Sequence, residues 1–271
     1  MKIVFIGGGN MATAMLGGLL QQGYSGEDIG VVEVIADARA RLYAQFKINV
    51  FSLPNAEALA APVIVFAVKP QQLADVAKSV AQWIAGKLVI SIAAGIRSMD
   101  LSRWLDGHHN IVRVMPNTPS LVQAGVAGLY AMPSVTADDR RHAEALLRCV
   151  GETVWVDDER AIDAVTAVSG SGPAYVFYFI EALEQAALEL GLNTDAARKL
   201  SLHTFNGAAK LALGSADGPA TLRAKVTSKG GTTERALLTL EQTKVKQLIV
   251  DAVLQAAQRA GELGEEFGKL G

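Results

Sequence analysis

Two stretches of this 271-residue chain combine residue types that could hold a ligand and do chemistry on it. The first is Gly7-Gly8-Gly9-Asn10-Met11-Ala12, which follows the apolar run Lys2–Ile6. After it, Ala12, Met15, Leu16, Leu19 and Leu20 recur at helical spacing, with Asn10 where an N-cap is expected. Strand, glycine turn and helix in that order is the context in which Gly7-x-Gly9-x-x-Ala12 reads as a dinucleotide fingerprint. Gly7 allows the tight turn, Gly9 lets the main chain approach a pyrophosphate, and Ala12 lets helix and strand pack closely. The phosphates would rest on the helix N-terminus. The second stretch, Val226-Thr227-Ser228-Lys229-Gly230-Gly231-Thr232-Thr233, gathers hydroxyls and two glycines between two helical patterns. Thr232 or Thr233 can cap the following helix. The exposed N–H groups there suit a carboxylate, although the same composition also makes an ordinary polar loop.

Other chemistries lack their residues. His108, His109, His142 and His203 are scattered without metal-ligand spacing, so no metal site is expected. Cys149 is the only cysteine, which excludes an internal disulfide and fits a cytosolic protein. Ser169-Gly170-Ser171-Gly172 has the outline of a nucleophile elbow, but it falls in a helical stretch rather than after a strand. A net charge of −2 gives no footprint for nucleic acid or anionic membrane. No apolar run has the length of a membrane span. The opening lysine and apolar run could begin a secretory signal, but glycines and Asn10 interrupt it.

The elements that must position the two stretches differ between the halves of the chain. Strand patterns are expected at Ile29–Val34, Ile48–Phe51, Pro62–Val68, Leu88–Ala93, Ile111–Met115, Val126–Ala131 and Thr153–Val156. Helices are expected over Ala36–Phe46, from Pro54 to Leu59, and over Asp138–Val150. Glu33 falls near the end of the second strand, where a carboxylate can meet a ribose or stand as a plain surface residue. Lys69-Pro70 follows a fully apolar strand, so Lys69 has either a phosphate partner or water. Ala94-Gly95 would let a flat ring approach, and Pro116-Asn117-Thr118-Pro119 makes a rigid loop. Beyond Asp157 only helices are expected: Ile162–Leu190, Thr194–Leu213, Pro219–Thr227, Thr233–Leu240 and Val245–Leu263. This divides the chain into an α/β domain, residues 1–159, and an all-α domain, residues 160–271. Gly170 to Pro173 should kink the first long helix. The helix from Ala174 to Leu190 is apolar nearly all round its first half, which predicts a shared core in a homodimer.

The loop TSKGGTTERAL, together with VMPNTP, AVKPQ, SGSGPAY and the GxGNMA opening, resembles the pyrroline-5-carboxylate reductases in the same order over residues 6–236. The resemblance implies a Rossmann-type α/β domain with a parallel-rich sheet and an all-α dimerisation domain. It implies reduction of the C=N bond of 1-pyrroline-5-carboxylate to L-proline, the last step of proline biosynthesis, with NADPH or NADH as cofactor. It also implies a cytoplasmic homo-oligomer, a dimer that in many members assembles further into a decamer. Carried over residue by residue, Thr233 would hydrogen-bond the ring nitrogen and assist its protonation. Ser228 and the backbone at Gly230, Gly231 and Thr232 would hold the substrate carboxylate. Gly7, Gly8, Gly9, Asn10, Met11, Glu33, Ala67, Val68, Lys69, Pro70, Ala93 and Asn117 would bind the cofactor, with Lys69 and Asn117 on its ribose and nicotinamide side. One departure concerns the second strand, where relatives often carry an Asn-Arg or Ser-Arg pair that welcomes the NADP phosphate. Glu33-Val34 stands there, and the next arginine is Arg39, so the sequence favours NADH unless Arg39 folds back. A β-hydroxyacid or other cyclic-imine dehydrogenase shares the two-domain plan, but hydroxyacid enzymes need a lysine that the segment Ala161–Leu190 lacks. A non-catalytic nucleotide sensor would have no need of the TSKGGTT loop.

Overall fold

The structure is a computed structural model that describes residues 2–270. Short apolar runs form eight strands: β1 (Ile3–Ile6), β2 (Ile29–Val32), β3 (Asn49–Phe51), β4 (Val63–Phe66), β5 (Leu88–Ser91), β6 (Ile111–Met115), β7 (Gly125–Ala131) and β8 (Gly151–Trp155). They make one sheet in the order β3-β2-β1-β4-β5-β6-β7-β8. Only the β6–β7 pair is antiparallel. Every residue of β1, β2 and β5 is buried, as expected of parallel strands covered on both faces. The strand order reverses between β1 and β4, so the crevice for a ligand lies at the carboxyl ends of these strands.

The helices of this part are α1 (Asn10–Gln21), α2 (Ala36–Phe46), α3 (Pro70–Val80), α4 (Ser98–Trp104), α5 (Ala137–Arg148) and α6 (Ala161–Val165). A π-helical turn, Thr166–Gly170, separates α6 from α7 (Gly172–Glu189). Then come α8 (Thr194–Leu213), α9 (Pro219–Lys225), α10 (Thr232–Gln242) and α11 (Val245–Gly268). The chain forms two compact units, Met1–Ser171 with Gln255–Gly271, and Gly172–Leu254. The first unit holds the sheet and a core that includes Phe5, Met15, Leu16, Leu19, Ile64, Phe66 and Trp104. At Gly18 a Cβ would stand 2.2 Å from the Cys149 carbonyl oxygen, so glycine is what lets α1 lie against that segment.

Two local expectations are corrected, one is met, and one helix is new. Residues from Pro54 form turns, closed by the Ala58 N–H donating to Asn55 Oδ1 at 2.7 Å, and not a helix. Gly9, not Asn10, is the N-cap of α1. The interruption expected at Gly170–Pro173 is present as the π-turn, in which Ser171 N–H donates to Thr166 O at 2.8 Å. Helix α4 was not anticipated, because its seven residues carry too short a pattern to read.

The first unit buries one full charge. Arg113, in the middle of β6, is 3% exposed. Its guanidinium lies 3.2 Å from Glu159 Oε1 and 3.5 Å from Asp163 Oδ1. Glu159 Oε1 also accepts the Ser98 N–H at 2.6 Å, which joins β6, α6 and the start of α4 around one group. The end of α11 returns to the same region: Trp104 Nε1 donates to Leu270 O at 3.0 Å and Arg103 to Gly268 O at 2.7 Å.

In the second unit no residue of α7 is buried. Tyr178 is 71%, Leu190 84% and Leu213 88% exposed, more apolar surface than a lone helical unit normally shows to water. No helix among the described residues is long and apolar enough to cross a membrane.

Replacing Arg113 by Met strips Glu159 and Asp163 of their counter-charge. We expect a loss of about 3 kcal/mol in urea unfolding, as for one partner removed from a buried pair. A change within the error of the measurement would show that the network is not needed for stability.

Candidate cofactor cleft and substrate loop

The turn after β1 is built for close approach. Gly7 has φ +102°, and a Cβ there would stand 2.7 Å from the Ala67 carbonyl oxygen at the end of β4. Nothing lies within 4 Å of a Cβ at Gly9, so this side of the turn is open. Gly9 caps α1 without a side chain, which leaves the first N–H groups of the helix free for an anion.

Around this turn is a cleft of about 700 Å³. Of the expected cofactor residues it brings together Gly7, Gly8, Gly9, Glu33, Ala67, Val68 and Lys69; Asn10, Met11, Pro70, Ala93 and Asn117 are not in its lining. Glu33 is fixed by the main chain: Oε2 accepts the Gly8 N–H and Oε1 the Ile35 N–H, each at 2.9 Å. Arg39 does fold back, and its guanidinium donates to the Glu33 carbonyl oxygen at 2.7 Å. Lys69 is exposed and precedes α3, whose first residue is Pro70. The lining also includes Val34, Ile35 and Leu53, which are 70%, 60% and 65% exposed. They offer an apolar wall for a flat ring, and the sequence reading missed them. The available signal was two β-branched residues directly after the strand-end glutamate.

Asn117 sits past the end of β6 and is buried. Its amide nitrogen donates to Ser169 O at 3.1 Å, and its amide oxygen accepts the Val126 N–H at 2.9 Å. Both halves of the carboxamide are therefore engaged within the protein, on the π-turn and on β7. Ala93, after β5, is 5% exposed.

The Val226–Thr233 loop belongs to the second unit. Gly230 has φ +74°, and its N–H donates to Glu234 Oε2 at 2.7 Å. Gly231 N–H donates to Ser228 O at 3.1 Å, and a Cβ on Gly231 would stand 2.6 Å from Ser228 Oγ. Gly231 is the N-cap of α10, which begins at Thr232, so neither Thr232 nor Thr233 is the cap. The hydroxyls of Ser228, Thr232 and Thr233 are free of hydrogen bonds among the described residues.

Cys149, outside these two places, is not poised as a nucleophile. Burial pushes the Cys149 thiol up to about 12, and its Sγ lies 2.8 Å from Leu146 O. Burial also lowers the His108 pKa, which favours the neutral ring. Among the described residues no group of three or more His, Cys, Asp or Glu side chains could hold a metal ion.

Residues 159–263 match the family model described as pyrroline-5-carboxylate reductase dimerisation, and residues 2–95 the one described as NADP oxidoreductase, coenzyme F420-dependent. A pyrroline-5-carboxylate reductase of Pseudomonas aeruginosa is 44% identical, over 99% of this chain and 98% of its own. The chain belongs to the pyrroline-5-carboxylate reductase family. Solved structures agree. A pyrroline-5-carboxylate reductase from Coxiella burnetii is similar with a TM-score of 0.92 and 40% identity, covering 97% of this chain and 98% of that one. The Plasmodium falciparum pyrroline carboxylate reductase with NADP bound gives 0.86 at 29% identity, again covering 97% and 98%. Membership of the pyrroline-5-carboxylate reductase family sets aside the hydroxyacid-dehydrogenase reading, and it covers the glycine turn and the TSKGGTT loop alike.

Proposed function

We propose that this chain reduces 1-pyrroline-5-carboxylate to L-proline with NADPH or NADH, as the last step of proline biosynthesis. The observation that carries this reading is the full-length likeness to reductases of that name. The cleft fits a dinucleotide: the turn is open at Gly9, the α1 N–H groups are free, and Glu33 is held at its rim. When bound, NAD(P)H supplies the hydride that the imine carbon takes up.

In this reading Gly7, Gly8, Gly9, Asn10 and Met11 hold the pyrophosphate, with negative charge set against the α1 N-terminus. Glu33 accepts hydrogen bonds from the adenosine ribose, and Val34, Ile35 and Leu53 cover the adenine. Ala67, Val68, Lys69, Pro70, Ala93 and Asn117 form the cofactor's side of the strand ends. Ser228, Gly230, Gly231 and Thr232 hold the substrate carboxylate, and Thr233 donates to or accepts from the ring nitrogen. Protonation of that nitrogen makes the C=N carbon electrophilic. As hydride arrives there, the π electrons move to nitrogen, which keeps its proton. The protein needs no strong acid for this, only orientation and a polar partner for the nitrogen.

Residues 1–159 then act as the dinucleotide-binding domain and residues 160–271 as the substrate and dimerisation domain. The exposed apolar residues of α7 and α8 support a dimer, which could assemble further into a decamer. The cytoplasm suits a chain whose single cysteine is free and buried.

The test is the initial rate of nicotinamide oxidation with pyrroline-5-carboxylate, run with NADH and with NADPH. Turnover with either is expected; none with either, from folded protein that binds cofactor, would point to another imine or to a nucleotide sensor. The ratio weighs two opposed charges: the Glu33 carboxylate repels a 2′-phosphate, while Arg39, folded back onto the Glu33 carbonyl oxygen at 2.7 Å, attracts one. An NADH preference would show that Glu33 prevails, and an NADPH preference that Arg39 does. Glu33→Gln should shift the NADPH/NADH ratio of kcat/KM upward by about tenfold or more, as expected for relief of a like-charge contact. Thr233→Ala should lower kcat by about 10²–10³ if its hydrogen bond is made mainly in the transition state. An unchanged kcat would remove Thr233 from the mechanism.

A further inference from the structure

The substrate loop already contains a carboxylate. Glu234, in the first turn of α10, reaches back to accept the Gly230 N–H at 2.7 Å. The neighbouring Gly231 N–H is taken by Ser228 O at 3.1 Å. Two of the three main-chain donors assigned to the substrate are thus spent inside the loop. The donors left free among the described residues are the N–H groups of Thr232, Thr233 and Glu234, the first three of α10, and the hydroxyls beside them. Glutamate at the third helical position bonded to a main-chain N–H ahead of the helix is a form of capping box. Here it closes on a glycine held at φ +74°, so it fixes the turn that aims the helix start.

We propose that Glu234 is a positioning residue for this reduction: it holds Gly230 so that the substrate carboxylate binds the Thr232 and Thr233 N–H groups and not the Gly230 N–H. This rests on the reading of the loop as the substrate-carboxylate site. It gives Gly230 and Gly231 a conformational role in place of a direct carboxylate contact, and leaves the main-chain anion contact to the first two residues of α10. It also separates two functions within seven residues. Ser228, Thr232 and Thr233 face the substrate, while Gly230, Gly231 and Glu234 hold the loop in shape.

The experiment compares Glu234→Ala and Glu234→Gln with the unmodified protein in steady-state kinetics. Loss of the cap in Glu234→Ala should raise KM for pyrroline-5-carboxylate about tenfold, the weight of one hydrogen bond, with KM for the dinucleotide unchanged. Glutamine keeps an acceptor oxygen, so Glu234→Gln should return KM to within about threefold of the original. A general loss of stability would not give that split or that rescue, and circular dichroism checks the fold of both variants. A lowered KM in Glu234→Ala would overturn the proposal, since it would mean that the freed Gly230 N–H is the better anchor. An unchanged KM, or no rescue by glutamine, would also overturn it. Failure of the functional reading looks different: the unmodified protein would not turn over pyrroline-5-carboxylate at all.

Discussion

A parallel strand buried on both faces has little room for a charged side chain, so charged chemistry in the sheet-bearing unit must sit where the strands stop. Most of this chain obeys that constraint. β1 and β2 are buried throughout and β4 beyond its first residue, and the groups able to meet a dinucleotide begin one residue past each of them, at Gly7, Glu33 and Ala67. The bond from Gly8 N–H to Glu33 Oε2 then ties two strand ends into one rim. Arg113 is the exception that the sheet tolerates, because two carboxylates from beyond β8 meet it inside.

The second recurring device is a helix that begins on glycine. α5 and α8 are closed by side chains: Thr136 accepts the Asp139 N–H and Asn193 accepts the Ala196 N–H. α1 and α10 begin after Gly9 and Gly231 with no such cap. An uncapped start is not a site in itself, since α2, α3 and α9 share it. What distinguishes α1 and α10 is the surrounding donor set. One adjoins an open glycine turn and a cleft of about 700 Å³; the other adjoins three free hydroxyls and a loop shaped from within. Both unpaired helix starts suit an anion, a diphosphate in one case and a carboxylate in the other.

Much of this was legible in the sequence because it is local. The strand, glycine turn and helix at the start of the chain, the α2 and α8 boundaries and the strand β6 were read correctly from spacing and apolar runs. The glycine-rich loops were visible as loops, but their caps were misassigned to Asn10 and to Thr232 or Thr233. In both places glycine took the extended cap position and the polar residue became the first of the helix. The helix expected from Pro54 failed because the Asn55 amide oxygen accepts the Ala58 N–H and closes a turn, a competing local bond that propensity does not register. The Arg113 network could not be seen at all. Its partners lie 46 and 50 residues away, and nothing in IVRVM says which carboxylates will meet the arginine. The apolar wall of Val34, Ile35 and Leu53 was hidden for a similar reason, since it exists only when β2 and β3 end side by side.

The return of α11 to the first unit bears on how the chain is made. Trp104 is fully enclosed, yet its indole N–H donates to an oxygen 166 residues further along, and Arg97 reaches Gly261 across 164. A ribosome delivers the eight strands well before those partners. The nascent sheet must therefore wait, with the face of α4 uncovered, while the whole helical insert is synthesised. Long-range closure of this kind is slow to form and leaves apolar surface open meanwhile. The glycines on α11 ease the last step: Gly264 and Gly268 carry no side chain where Arg97 and Asp100 already stand, so the returning helix can settle on a finished surface.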